Sequence, residues 1–183
     1  MRLHLTLLVA ALFLAPFLPA DETKTSDVPV VETEVKVAMR DDALLATDLY
    51  FPAKNGVKLT GQFPVILIRT PYSKSGAKKH AEYFASHGYV FVAQDCRGRY
   101  GSEGVWHWMT DDGKDGADCA AWIGKQPWFS GKIGMMGTSY VGGTQHALAL
   151  EGAKELATVI PVDAVSNCGV QSMRHAGAFE LRF

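Results

Sequence analysis

The chain has 183 residues, of which 48% are hydrophobic and 20% charged, with 18 glycines and 8 prolines. This composition is typical of one globular domain and argues against collagen, a coiled coil or a disordered chain. The formal net charge is −1 and the basic residues are scattered, so we do not expect nucleic acid as a partner. The sequence predicts no cofactor. It also predicts no metal site, because Cys96, Cys119 and Cys168 form no CxxC or CxxH pair and are interpreted as small buried side chains.

An apolar segment opens the chain. Arg2 and His4 precede the apolar residues 5–18, and the small residue Ala20 follows them. The pattern favours a secretory signal peptide over residues 1–20 rather than a membrane anchor or a buried helix, because a bilayer span needs ~20 apolar residues. We therefore expect a secreted or periplasmic protein without a stable membrane anchor. Residues 21–30 then form a flexible leader, and residues 31–183 form the folded part.

A hairpin is predicted at the start of the folded part. Residues 31–39 alternate valine and threonine with charged side chains, and the turn residues 40–42 lead into a second run over 44–51. The next run, residues 65–68, is short, continuous and β-branched, which predicts a strand buried on both faces.

Helices and short apolar strands alternate through the rest of the chain. This order builds a mostly parallel, doubly wound sheet with the antiparallel hairpin at its edge, so the predicted fold class is α/β. The predicted elements are a helix over residues 78–87, a strand over 89–93, a helix from 111 to before Pro127, a strand over 133–136, a helix through 147–150 and a strand over 158–162.

Four residues follow predicted strands, where ligands of parallel sheets bind: Tyr72, Asp95, Ser139 and Asp163. Ser139 lies between a strand and a helix within Gly137-Thr138-Ser139-Tyr140-Val141-Gly142-Gly143. A sharp turn at this point would raise the serine hydroxyl and direct the helix N-terminus at it, as in the nucleophile elbow of serine hydrolases. The alternatives are a structural turn and a phosphate-binding loop, and no lysine follows the glycines as a P-loop requires. Val141 stands where the G-x-S-x-G motif has glycine.

Five ordered sequence blocks carry a resemblance to a known family. They are Arg69-Thr70-Pro71-Tyr72, the loop Asp95-Cys96-Arg97-Gly98-Arg99 with Gly101-Ser102-Glu103-Gly104, Asp115-Gly116 before Trp122, Gln126-Pro127-Trp128, and Gly137-Thr138-Ser139-Tyr140-Val141-Gly142. Together they resemble the X-Pro dipeptidyl-peptidase and cocaine esterase (CocE/NonD) family over about residues 35–183. The elbow of that family is G-x-S-Y-x-G, so Val141 fits it.

The resemblance implies an α/β-hydrolase fold and a serine hydrolase that acts on an acyl ester, an amide or an X-Pro peptide bond. It implies Ser139 as the nucleophile, with the hydroxyl of Tyr72 and the backbone N–H of Tyr140 stabilising the oxyanion. A phenol held in a dry site is a strong neutral donor, which agrees with this role for Tyr72. The other interpretation of Tyr72 is an aromatic ring packed beside Pro71. The expected partners are small esters, amides or short peptides.

A serine nucleophile also needs a histidine base and an orienting acid. The candidates after Ser139 are Asp163, His146 and His175, and neither histidine is a convincing base, because His146 is seven residues along the helix. The family places both groups after a helical cap and ends in a jelly-roll domain. We therefore expect a fragment, cut before the cap and the jelly roll, that is inactive alone. The alternative is a non-catalytic α/β-hydrolase-like binding protein.

The loop from Asp95 to Met109 is rich in glycine and charge. Its acidic and basic side chains alternate, which favours a folded turn held by internal ion pairs over a set of catalytic carboxylates. We expect Trp106 and His107, near its end, to pack on the surface rather than to line a pocket.

Overall fold

The computed structural model describes residues 27–164 and two short paired strands, Arg174–His175 and Ala178–Phe179. The predicted signal peptide, the leader up to residue 26 and Cys168 lie outside the described residues, and the side chain of His175 does too. Within the described part, no helix is long and apolar enough to cross a membrane.

The predicted helices and strands appear in the predicted order, but the strand predicted over residues 133–136 covers residues 129–138, and four strands of two residues each were not predicted. The elements are β1 (Val30–Ala38), β2 (Leu44–Phe51), β3 (Ala53–Lys54), β4 (Val57–Lys58), β5 (Phe63–Thr70), α1 (Lys78–Ser86), β6 (Val90–Asp95), α2 (Asp112–Gly124), β7 (Phe129–Thr138), α3 (Tyr140–Leu150), β8 (Leu156–Val162), β9 (Arg174–His175) and β10 (Ala178–Phe179). A 3₁₀ turn, Lys74–Ala77, leads into α1.

The main sheet has six strands in the order β1-β2-β6-β5-β7-β8. Strands β5, β6, β7 and β8 are parallel, whereas β1 pairs antiparallel with β2, and β2 antiparallel with β6. The predicted α/β class is confirmed, as is the mostly parallel sheet with its N-terminal antiparallel hairpin. The parallel arrangement brings the carboxyl ends of β5, β6, β7 and β8 to one edge, where ligands of such sheets bind.

Adjacent residues of the central strands pack on opposite faces of this sheet. Leu67 lies in the larger core beneath α2 and α3, while Ile68 faces the smaller core beneath α1. Both faces of β5 are therefore covered, as its unbroken apolar run predicts. The larger core also contains the buried Leu49, Phe51, Val65, Val90, Val92, Cys119, Ala120, Ile123, Ile133, Met135 and Leu148.

The loop from Cys96 to Asp111 is tied to the hairpin and to α2 by ion pairs. The guanidinium of Arg97 lies 2.7 Å from Asp41 and 2.6 Å from Asp115, and the carboxylate of Glu103 accepts from the main-chain N–H of Leu44 at 3.0 Å. The prediction of a folded loop is confirmed, but the prediction that its ion pairs are internal is wrong, because both partners of Arg97 lie outside the loop.

Candidate active site at the carboxyl ends of the strands

Ser139 connects β7 to α3 in a backbone conformation that side chains other than glycine rarely adopt. Its φ is 58° and its ψ is −121°. A residue held in such a region costs of order 1–3 kcal/mol and persists only when its surroundings enforce it. Two sets of hydrogen bonds do so: the Ser139 N–H donates to the Val162 carbonyl at 2.9 Å, and the Ser139 carbonyl accepts from Gly142 and Gly143 at 3.0 Å each.

Two glycines provide the space that this turn needs. Gly137 has φ 150°, and a Cβ atom there would lie 2.3 Å from Cγ1 of Val141. At Gly142 a Cβ atom would lie 2.5 Å from Cβ of Ala164. The predicted sharp strand-to-helix turn is therefore present, and its glycines permit the close approach of α3 to the strands.

The side chain of Ser139 is exposed and makes no capping hydrogen bond to α3. The hydroxyl therefore remains available to another partner. It stands at the N-terminus of an 11-residue helix, where the unpaired backbone N–H groups and the helix dipole favour negative charge.

Tyr72 follows β5 and lies beside the first residue of α3. Its ring is 61% exposed, and its N–H donates to the hydroxyl of Thr70 at 3.0 Å. The ring centroid lies 6.2 Å from that of Tyr140 in an edge-to-face arrangement. The structure thus brings Tyr72, Ser139 and Tyr140 together at one edge of the sheet. The exposure of Tyr72 argues against a buried packing role, and it also differs from the dry site expected for its phenol.

The side chain of Tyr140 has an environment that the sequence did not reveal. It is only 4% exposed, and its hydroxyl donates to Asp112 Oδ2 at 2.6 Å. The hydroxyl oxygen of Tyr140 also accepts from the indole N–H of Trp106 at 3.2 Å and from the backbone N–H of Met109 at 3.1 Å. Burial is the main cause that raises the pKa of Tyr140, and the hydrogen bond to Asp112 is the second, so the phenol stays protonated.

Trp106 and His107 differ in their surroundings. The Trp106 ring is half-buried and lies 6.1 Å from the Tyr140 ring, so the expectation of mere surface packing is wrong for this residue. The physical reason is the indole hydrogen bond to Tyr140. His107 is 63% exposed and its Nδ1 lies 3.7 Å from Asp111, as surface packing predicts.

A buried ion cluster supports Asp112 from below. Arg69 is fully buried, and its Nε donates to Oε1 of Gln94 at 2.8 Å. Its Nη1 donates to the main-chain carbonyl of Asp112 at 2.5 Å and lies 3.6 Å from the carboxylate of the same residue. Its Nη2 lies 3.7 Å from Asp115. A guanidinium is charged at any ordinary pH, so these carboxylates balance a charge that burial would otherwise make costly.

Asp95 and Asp163 both stand at the ends of strands, as predicted. Asp95 is fully buried at the end of β6 and accepts from the backbone N–H of Lys74 at 2.7 Å. Asp163 is exposed directly after β8 with φ 45°. His146 lies on α3, about 10 Å along the helix axis from Ser139 at 1.5 Å per residue.

A cleft of about 350 Å³ lies beside the Ser139 turn, on the face of the sheet that carries α1. It lies between the residues after β5 and the ends of β7 and β8. Most of its lining is apolar, and the residues are Ile68, Thr70, Tyr72, Ser73, Gly76, Ala77, His80, Met136, Gly137, Thr138, Val141, Ile160 and Val162.

Known proteins resemble this chain in sequence and in fold. The chain is 39% identical over 137 residues to cocaine esterase from Rhodococcus sp. (strain MB1 Bresler), a match that covers 72% of this chain and 23% of the relative. The structure of this chain resembles that of an alpha-amino acid ester hydrolase with a TM-score of 0.70 and 25% identity, over 97% of this chain and 32% of the other. It also resembles a CocE/NonD family hydrolase from Staphylococcus aureus with a TM-score of 0.74 and 24% identity, over 84% and 31% of the two chains.

These likenesses confirm the α/β-hydrolase fold and the resemblance that the five sequence blocks carry. The chain spans about a quarter of the length of the curated relative. The model of the X-Pro dipeptidyl-peptidase family, S15, matches residues 41–183. The chain therefore belongs to the X-Pro dipeptidyl-peptidase (S15) family of hydrolases.

Proposed function

We propose that this chain supplies the nucleophile and the oxyanion donors of a serine hydrolase. Ser139 attacks the carbonyl carbon of the substrate, and the Tyr72 hydroxyl and the Tyr140 backbone N–H bind the developing oxyanion. The observation that carries the proposal is the backbone of Ser139, with φ 58° and ψ −121° at the start of α3. Strain of this kind is concentrated at functional sites, and a sharp strand-to-helix turn exposes a nucleophilic hydroxyl.

The proposed reaction passes through an acyl-enzyme. A histidine base takes the proton of the Ser139 hydroxyl while Oγ forms a bond to the substrate carbonyl carbon. Collapse of the tetrahedral intermediate breaks the bond to the alcohol or amine, which leaves with that proton. Water then attacks the carbonyl carbon of the acyl-enzyme in the same way, which releases the acid and restores the Ser139 hydroxyl.

The base and its orienting acid are proposed to come from outside residues 27–164. His146 lies too far along α3 to reach the Ser139 hydroxyl, and the longer relatives have most of their chain outside the matched region. On this proposal residues 27–164 alone do not turn over substrate, because a serine without a base keeps a hydroxyl of low nucleophilicity.

The proposed substrates are small esters, amides or short peptides. Support comes from two similar proteins, a cocaine esterase and an alpha-amino acid ester hydrolase, and from the match to the X-Pro dipeptidyl-peptidase family. The proposed location, secreted or periplasmic, rests on the apolar segment over residues 5–18.

The test is Ser139→Ala in the full-length gene product. We expect the variant to lose nearly all hydrolysis of a p-nitrophenyl acyl ester and an X-Pro anilide, and to lose labelling by a fluorophosphonate probe. Ser130→Ala is the matched control, because Ser130 is an exposed serine near the opposite end of the same strand. Labelling that persists in Ser139→Ala would move the nucleophile elsewhere. Absent labelling in the wild type would favour the non-catalytic binding protein instead.

A further inference from the structure

We propose that Asp112 is a positioning residue of this site, which fixes the backbone N–H of Tyr140 by binding the hydroxyl of the same residue. The proposal rests on the proposed function, in which that N–H is an oxyanion donor. It assigns a role to a side chain that lies 28 positions before Tyr140 and outside the elbow motif.

The hydroxyl of Tyr140 uses its full hydrogen-bonding capacity. It donates once, to Asp112 at 2.6 Å, and accepts twice, from Trp106 and from the N–H of Met109. A tyrosine hydroxyl has one donor and two acceptor positions, so none is left for a substrate. The phenol is therefore a fastening point, and the chemistry falls to the backbone of the same residue.

Fixing the phenol fixes the first residue of α3. The Tyr140 ring is buried between Trp106, Trp108 and Tyr72, with centroid distances of 6.1, 6.5 and 6.2 Å. A tyrosine side chain has only two rotatable bonds between its Cα atom and its ring, so a clamped ring restricts the Cα atom. The peptide N–H between Ser139 and Tyr140 is attached directly to that atom. Oxyanion donors must lie 2.7–3.1 Å from the charged oxygen, so a displacement of half an ångström is felt.

Asp112 is itself held rigidly, which suits it to this role. It is 4% exposed, and both its main-chain carbonyl and its carboxylate contact the buried guanidinium of Arg69. Arg69 lies on β5, three residues before Tyr72, and its carbonyl accepts from the hydroxyl of Thr144 on α3 at 3.3 Å. The Arg69–Asp112 pair therefore links the segments that carry both proposed oxyanion donors.

Tyr140→Phe in the full-length protein is the direct test. It removes the hydroxyl and leaves the ring and the backbone N–H in place. We expect kcat for a p-nitrophenyl acyl ester to fall about tenfold with KM within about twofold of wild type, the signature of an interaction expressed in the transition state. Tyr50→Phe is the matched control, because Tyr50 is a 5%-exposed tyrosine on β2, outside this site, and its kcat should stay within about twofold.

A double-mutant cycle shows whether Asp112 acts through the phenol. Asp112→Asn should lower kcat by a similar factor, and the double variant with Tyr140→Phe should be no slower than the slower single variant. The proposal would be overturned if the double variant lost kcat by the product of the two single-variant factors, or if Tyr140→Phe kept kcat within twofold of wild type. Where Asp112→Asn fails to fold, the Tyr140→Phe result decides. Turnover retained in Ser139→Ala would instead refute the proposed function on which this inference depends.

Discussion

The main-chain N–H of Lys74 donates to Oδ1 of Asp95 at 2.7 Å, and the ammonium of the same lysine lies 3.4 Å from Oδ2. Lys74 is only two residues after Tyr72, and Asp95 ends the neighbouring strand β6. The segment that carries Tyr72 is therefore clamped to the sheet. The Lys74 ammonium also contacts the carboxylates of Glu34 and Asp48 on the N-terminal hairpin, so the hairpin contributes to the position of Tyr72.

Lys74→Met should weaken the fold and the site together. The change leaves the fully buried Asp95 without a cation, and breaking a buried ion pair costs about 3 kcal/mol or more. We expect that loss in the free energy of unfolding, measured with urea, and a lower kcat because Tyr72 is less firmly held. Lys78→Met is the control, since Lys78 is 68% exposed and should change stability by less than about 0.5 kcal/mol. Equal stability of the two variants would contradict the clamp.

Tyr72→Phe should lower kcat far more than it raises KM. A donor to the oxyanion contributes about 3 kcal/mol in the transition state and little in the ground state, which corresponds to roughly a hundredfold in rate. Steady-state kinetics on the full-length protein measure this split. Tyr83→Phe removes the hydroxyl of a 57%-exposed tyrosine on α1 and should have no effect. A kcat within threefold of wild type in Tyr72→Phe would remove Tyr72 from the oxyanion hole.

The turn at Ser139 could be predicted because the sequence features that indicate it are local, although the hydrogen bond from its N–H to the Val162 carbonyl is not. A buried strand, three glycines and a helix of small residues lie within about fifteen positions of it. The support of Tyr140 could not be predicted in the same way. Asp112 and Trp106 reach its hydroxyl from positions 28 and 34 residues earlier. The packing of α2 against α3 and the fold of the loop before α2 bring them together.

The bounds of β5 show a second limit of apolar patterns. The apolar run predicts a strand over residues 65–68, whereas β5 extends from Phe63 to Thr70. Arg69 ends the run in the sequence, yet it continues the strand fully buried, because Asp112 and Asp115 compensate its charge. A charged residue inside a strand is thus recognisable only when its partners are known.

Gly137→Ala should distort the turn that carries Ser139. The added Cβ atom would lie 2.3 Å from Cγ1 of Val141, and φ 150° strains the new side chain as well. We expect a loss of about 1–3 kcal/mol in unfolding free energy and slower fluorophosphonate labelling. Gly131→Ala, at φ 96° with open space around its Cβ position, measures the backbone strain alone. Adding Val141→Ala should restore part of the labelling rate, because it removes Cγ1, the nearest clashing atom, and leaves Cβ of residue 141 at 2.9 Å. A double variant no faster than Gly137→Ala would refute this steric account.

Cys96 and Cys119 should resist alkylation in the native protein. Both are free and buried, with 1% and 0% exposure. Burial raises the pKa of Cys119 to about 12 and raises that of Cys96 as well. Only the thiolate reacts, and a raised pKa keeps the thiol protonated at pH 8. Iodoacetamide at pH 8 should leave both residues unmodified in native protein and modify both in guanidinium chloride. Peptide mass spectrometry measures the modification of each residue and distinguishes them from Cys168. Rapid modification of Cys119 without denaturant would contradict its burial in the core beneath α2 and α3.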